Sequence, residues 1–143
     1  MSTKSDASAE NFLSGFNCAQ AVFTAFCEKY GLNFETAAKL AGGMGGGFRF
    51  GQICGAASGG VLVIGLRHGA SDPADKTSKA ACNEKTKAFL EEFRKRNQSF
   101  ICREILGCDI STPEGQAKAA PQFTTTCVDM VKSAVELLEE LGY

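Results

Sequence analysis

The sequence predicts an all-α fold, a compact bundle of about five to six helices in which a Gly-rich loop leads into a buried central helix. Three observations carry this. Helix start and stop signals recur along the chain, no convincing strand pair is present, and between Gly42 and Gly60 nine of nineteen residues are glycine. At 143 residues the chain has the length of one domain, residues 1–143, and buries roughly two-thirds of its extended surface.

A short polar helix is expected near Asp6 to Ser14, followed by Gly15. Asn17, with Gln20 three residues on, forms a capping box and starts a helix from Cys18 to Tyr30. Its apolar stripe is Val22, Phe23 and Phe26, and Gly31 is its left-handed stop. Asn33 caps a third helix, Phe34 to Ala41, which dissolves into the glycine run. The central helix is expected from about Gln52 to Arg67; Val61 to Ile64 could instead be a short buried strand, because four apolar residues do not reveal their period. Asp72 as cap and Pro73 at the first helical position start a long helix to about Asn97, with Cys82, Thr86, Phe89 and Phe93 on one face. Ser99 caps a shorter helix that ends at Gly107. Thr126 with Asp129 starts the last, which buries Val131, Ala134, Leu138 and Leu141.

Composition removes several function classes. A net charge of −1, from 15 basic against 16 acidic residues, gives no footprint for nucleic acid or an anionic membrane. Hydrophobic residues at 44% and charged residues at 22% exclude disorder and collagen-like repeats. Residues 1–71 hold 9 charged side chains and residues 72–143 hold 22, so the first half supplies core and the second amphipathic cover. The uncharged stretch Phe50 to Leu66 is 17 residues long with five glycines, short of the roughly 20 apolar residues of a membrane span. Gly51, Gly55 and Gly59 recur at the spacing that lets helices pack closely, so a tightly packed buried helix is expected there. The start MSTKSDASAE lacks the basic and apolar stretches of a secretory signal, which points to the cytoplasm. Thiols are held reduced in that compartment, so seven cysteines argue for metal, cluster or redox duty rather than a disulfide framework.

Position on the expected helices sorts these thiols. Cys18 follows the Asn17 cap, Cys127 follows Thr126, Cys102 lies three residues past Ser99, and Cys54 is near the start of the central helix. Unpaired amides and aligned peptide dipoles at a helix start favour thiolate, which is both nucleophile and metal ligand. Cys27 is late in its helix and Cys82 is mid-helix, where a cysteine is by default a small inert hydrophobe. Cys108 follows Gly107, outside the helix, and stays open as a further ligand. Gly55, Ala56 and Gly59 beside Cys54 leave room for another backbone, a cofactor or a partner thiol, and tight helix packing would ask for the same residues.

The NCAQ at Asn17 to Gln20, the GGGF and CGAASGG around Cys54, the CREILG from Cys102 and the late Cys127 resemble the family of redox-active proteins named for its C_GCAxxG_C_C motif. The likeness covers nearly the whole chain. It implies four characteristic cysteines, Cys18, Cys54, Cys102 and Cys127, the same four that the helix-start argument selects. It also implies an iron–sulfur cluster, since related domains are attached to electron-transfer haem proteins; with no C-x-x-C-H, this chain has no covalent haem site.

Neither phosphate-loop pattern can be placed on the glycine run, and no C-x-x-C pair provides a thioredoxin-like dithiol or a zinc ribbon. His68, the only histidine, follows a helix end, where the dipole favours imidazolium and a capping role. Two readings follow. In one, the four thiols converge to cycle between dithiol and disulfide or to ligate a small cluster, [2Fe–2S] before others, and serve an unidentified redox partner. In the other they hold zinc without electron transfer. Self-association is expected from the glycine-lined Cys54 helix.

Overall fold

Eight α-helices follow one another in the computed structural model, which describes residues 3–143: α1 Lys4–Leu13, α2 Cys18–Phe23, α3 Phe34–Leu40, α4 Gly55–His68, α5 Lys76–Asn97, α6 Cys102–Leu106, α7 Pro113–Ala119 and α8 Thr126–Glu140. Residues 1 and 2 of the expected 1–143 domain lie outside the described residues. The described residues contain no strand, only an isolated antiparallel bridge between Ile53 and Ile101, so the class is all-α. Seven of the eight answer to helices expected along the sequence, and α7 is the addition. Thr112, whose hydroxyl accepts from Gly115 N at 3.0 Å, and Pro113 at the first position start α7, a signal present in the sequence but not read there.

Local chemistry explains where the expected boundaries hold and where they move. Asn17 and Gln20 form the full capping box: Asn17 Oδ1 accepts from Gln20 N, and Gln20 Oε1 from Asn17 N, both at 2.8 Å. The expected helix from Cys18 to Tyr30 breaks at Phe23. Thr24 donates its hydroxyl to Gln20 O at 2.7 Å and Ala25 and Phe26 bond only three residues back, so the chain tightens into a 3-10 turn, Cys27–Tyr30, before Gly31 at φ 85°. Val61 to Ile64 is helical, inside α4.

The long helix α5 begins at Lys76, capped by Asp75, which accepts from Ser78 N at 3.0 Å. Asp72 instead closes a turn onto Ala74 N at 2.9 Å, which uses up the carboxylate expected to cap. Ser99 acts one turn outside α6, accepting from Ile101 N and donating to Glu104, both at 2.9 Å. At the start of α8, Thr125 precedes Thr126 and no side chain caps the helix, so the expected Thr126–Asp129 box is not formed. Val131, Ala134 and Leu138 are buried as expected, joined by Val135 and Leu137; Leu141 lies past the helix end and is 48% exposed.

The core sits between α2, α4, α5 and α8, with α1 laid along α8. The central helix α4 has small residues where neighbours press hardest. A Cβ on Gly59 would stand 2.7 Å from Ala19 O of α2, and one on Gly60 2.4 Å from Phe89 Cζ of α5. Its glycine face, expected to meet a second chain, is therefore used inside the molecule. A smaller apolar cluster, Cys102, Leu106, Ile110 and Ala119, gathers α6 and α7 beside the main core. No helix among the described residues is long and apolar enough to cross a membrane.

The chain end closes over α4. Tyr143 is buried, its carbonyl accepts from Tyr30 Oη at 2.9 Å and from Lys29 Nζ, and its ring takes His68 edge-on at 5.6 Å. The His68 pKa is lowered by burial, then by the positive charges of Arg67 and Lys85, which reverses the imidazolium expected at a helix end. The unfolded chain binds this proton more readily than the folded one, so His68 makes stability rise with pH through the range just below its ordinary value near 6.5. We expect His68→Gln to flatten the difference in melting temperature between about pH 5 and pH 7; an undiminished slope would discount the effect.

Candidate functional site

Four thiols from four separate segments meet at one cavity of about 370 Å³ between the two apolar clusters: Cys18, Cys54, Cys102 and Cys127. Two local devices bring them there. The Ile53–Ile101 bridge is fastened by Cys54 N donating to Phe100 O at 2.7 Å and Cys102 N donating to Gln52 O at 2.6 Å, which locks together the two segments that carry Cys54 and Cys102. Cys18 is set against Cys54 by the absence of a side chain: a Cβ on Gly55 would lie 2.2 Å from Cys18 Sγ. Cys127 comes from the first turn of α8 and faces the same space with Met130 of that helix.

The start of α2 is held over the cavity by more than its cap. Asn17 Nδ2 donates to Ala41 O and Gly42 O at 3.1 and 3.2 Å, and Gln20 Nε2 to Ala38 O at 2.9 Å. These bonds tie the entry of the glycine run to the helix that carries Cys18, a task the sequence reading did not assign to these residues.

All four thiols stand at helix starts as expected: Cys18 and Cys102 at the first position, Cys127 at the second, and Cys54 as the residue before α4. The expected thiolate character is not what the surroundings favour. Burial, and then the proximity of Cys18, push the Cys54 thiol far up, the Cys102 thiol up to about 11 and the Cys127 thiol up to about 12. Arg49 and Arg103 act in the other direction at Cys102 and are outweighed. Helices α2 and α6, six and five residues long, supply little aligned dipole to offset desolvation.

The remaining expected site residues separate. Gly55 lines the cavity; Ala56 and Gly59 are fully packed or nearly so within α4 and do not. Cys108 is half-buried in the α6–α7 cluster, its thiol turned to Leu106 O at 3.5 Å, and is not part of the cavity wall. Cys27 is core, and Cys82 borders a surface groove with Gly69 to Asp75. The apolar wall of the cavity, with Phe12, Phe16, Ile110 and Phe123, and the guanidinium of Arg49 at the same space were not selected from the sequence.

The donor set is soft and suits zinc or an iron–sulfur group. A single tetrahedral ion with bonds near about 2.3 Å asks all its ligands to crowd one point. Among the described residues no three Cys, His, Asp or Glu side chains do so, and all seven cysteines are free thiols. Four thiolates are the ligand complement that an iron–sulfur cluster would ask for.

A family model described as "Putative redox-active protein (C_GCAxxG_C_C)" matches residues 16–141, nearly the whole chain. No curated protein and no solved structure matches it.

Proposed function

We propose, because this chain belongs to the C_GCAxxG_C_C family of redox-active proteins, that it is an electron carrier whose Cys18, Cys54, Cys102 and Cys127 ligate one [2Fe–2S] cluster. The observation that carries this reading is the shared cavity: four thiols drawn from α2, the start of α4, α6 and α8 line it together. The burial of the thiols adds a second reason. A thiol with a pKa of about 11 or 12 is almost wholly protonated near neutral pH, which slows dithiol exchange, whereas coordination to a metal removes the proton outright. When bound, such a cluster supplies one-electron transfer without proton chemistry at substrate.

The chain's own residues perform the rest. Gly55 leaves the space that Cys18 Sγ needs beside Cys54, and the Ile53–Ile101 bridge keeps Cys54 and Cys102 at a fixed separation. Phe16, Phe123 and Ile110 limit water at the thiols.

Purification without oxygen tests the reading. The expected product is red-brown and contains iron and acid-labile sulfide in equal amounts, near two of each per chain. A colourless protein that holds zinc instead would favour the structural-metal reading. A metal-free protein that gives up two electrons per disulfide formed within the set would favour the dithiol reading.

A further inference from the structure

We propose that Arg49 is the cation of the thiol site: held at the cavity by a left-handed turn, its guanidinium offsets the negative charge of Cys18, Cys54, Cys102 and Cys127 when they act as ligands, and so raises the potential of the site. The inference rests on the iron–sulfur reading. Addition of one electron gives the site one more negative charge and makes or breaks no bond, so a nearby fixed cation stabilises the reduced state.

The backbone shows that the position of this side chain is bought at a cost. Gly46, Gly47, Phe48 and Arg49 are consecutive left-handed residues, at φ 63°, 61°, 59° and 67°. Glycine adopts this region freely; phenylalanine and arginine are strained there, and such strain gathers at functional sites. The turn has room for no side chain at its first two positions. A Cβ on Gly47 would stand 2.3 Å from Gln52 N, and one on Gly46 would stand 2.7 Å from Ile110 Cδ1 and 3.0 Å from Arg49 Nη1. The Arg49 side chain therefore folds back over Gly46, toward Ile110 and the cavity that both residues line.

Its charge has no other employment. Among the described residues Arg67, Arg94, Arg96 and Arg103 each donate to a carbonyl or carboxylate oxygen, and Arg49 forms no such bond. Arg49 is also the one charged residue between Lys39 and Arg67, so no carboxylate of that segment accompanies it.

The test uses the full chain as Arg49→Gln, Arg49→Lys and Arg49→Gly. In protein purified without oxygen, a spectroscopic titration with dithionite is expected to give a lower midpoint potential for Arg49→Gln and Arg49→Gly, with most of the loss restored in Arg49→Lys. In metal-free, reduced protein, Cys102 is alkylated with anionic iodoacetate and with neutral iodoacetamide. The ratio of the two rates cancels the thiolate fraction common to both, and it is expected to fall several-fold in Arg49→Gln and to recover in Arg49→Lys. Arg49→Gly is expected to melt above the parent protein because the turn is relieved, although it loses the charge. A rate ratio and a potential both unmoved in Arg49→Gln would overturn the proposal, as would a lowered melting temperature in Arg49→Gly. A ratio that falls in protein that assembles no iron centre would uphold the role of Arg49 and refute the iron–sulfur reading.

Discussion

Cys54→Ser is expected to hold at most about one-tenth of the parent protein's iron, while Cys82→Ser keeps nearly all of it. Cys54 is 7% exposed and is the residue that joins the set: Cys18 Sγ lies against the adjoining Gly55, and the Ile53–Ile101 bridge ties its segment, through Cys54 N to Phe100 O, to the segment that carries Cys102. Cys82, on α5, borders a groove on the surface and shares no wall with the cavity. Gly55→Ala makes a third case. It keeps every thiol, yet its methyl would stand 2.2 Å from Cys18 Sγ and 3.2 Å from Met44 O, so the sulfur must turn away. Iron content of that variant is expected to fall between the two serine variants. Equal iron in Cys54→Ser and Cys82→Ser, with helical content unchanged by circular dichroism, would end the assignment of the site.

Much of the local structure was legible because its causes are local. The Asn17–Gln20 box, the Gly31 and Gly107 stops and the buried face of α8 are written within a few residues of one another. The start of α5 was misplaced because two equivalent caps, Asp72 and Asp75, stand three residues apart and only the turn geometry decides between them, and α8 starts at Thr126 with no side-chain cap at all. The four thiols chosen from the sequence do line one cavity, but the reason given for choosing them is one that the structure corrects. A helix start does favour thiolate, but the same packing that brings four sulfurs together removes water from them, and desolvation is the larger effect. Their convergence depends on one two-residue bridge and on one missing Cβ, neither of which leaves a periodic trace in the sequence. Arg49 was readable in principle as the lone charge between Lys39 and Arg67, set among glycines.

Phe89→Ala is expected to remove about 3–5 kcal/mol of stability, and Gly60→Ala about 1–3 kcal/mol, although alanine is the better helix former by nearly 1 kcal/mol. The two residues occupy one space. A Cβ on Gly60 would stand 2.4 and 2.7 Å from Phe89 Cζ and Cε2, and the ring is fully buried beside Phe93, with centroids 6.2 Å apart, so it has nowhere to swing. Removal of the ring leaves a cavity on the far side of α4; addition of the methyl pushes α4 away from α5. The double variant puts the new methyl into the vacated volume and is expected to be more stable than the sum of the single losses by about 1 kcal/mol or more. Thermal unfolding reads this as a fall of about 10 °C or more for Phe89→Ala and a smaller further fall than Gly60→Ala gives alone. Strict additivity would show that the contact between α4 and α5 relaxes without strain. The same contact reaches the thiols, because α4 is one rigid helix whose first residue follows Cys54: if Phe89 sets its height, Gly60→Ala lowers iron content as well as melting temperature, and Phe89→Leu in the Gly60→Ala background restores both.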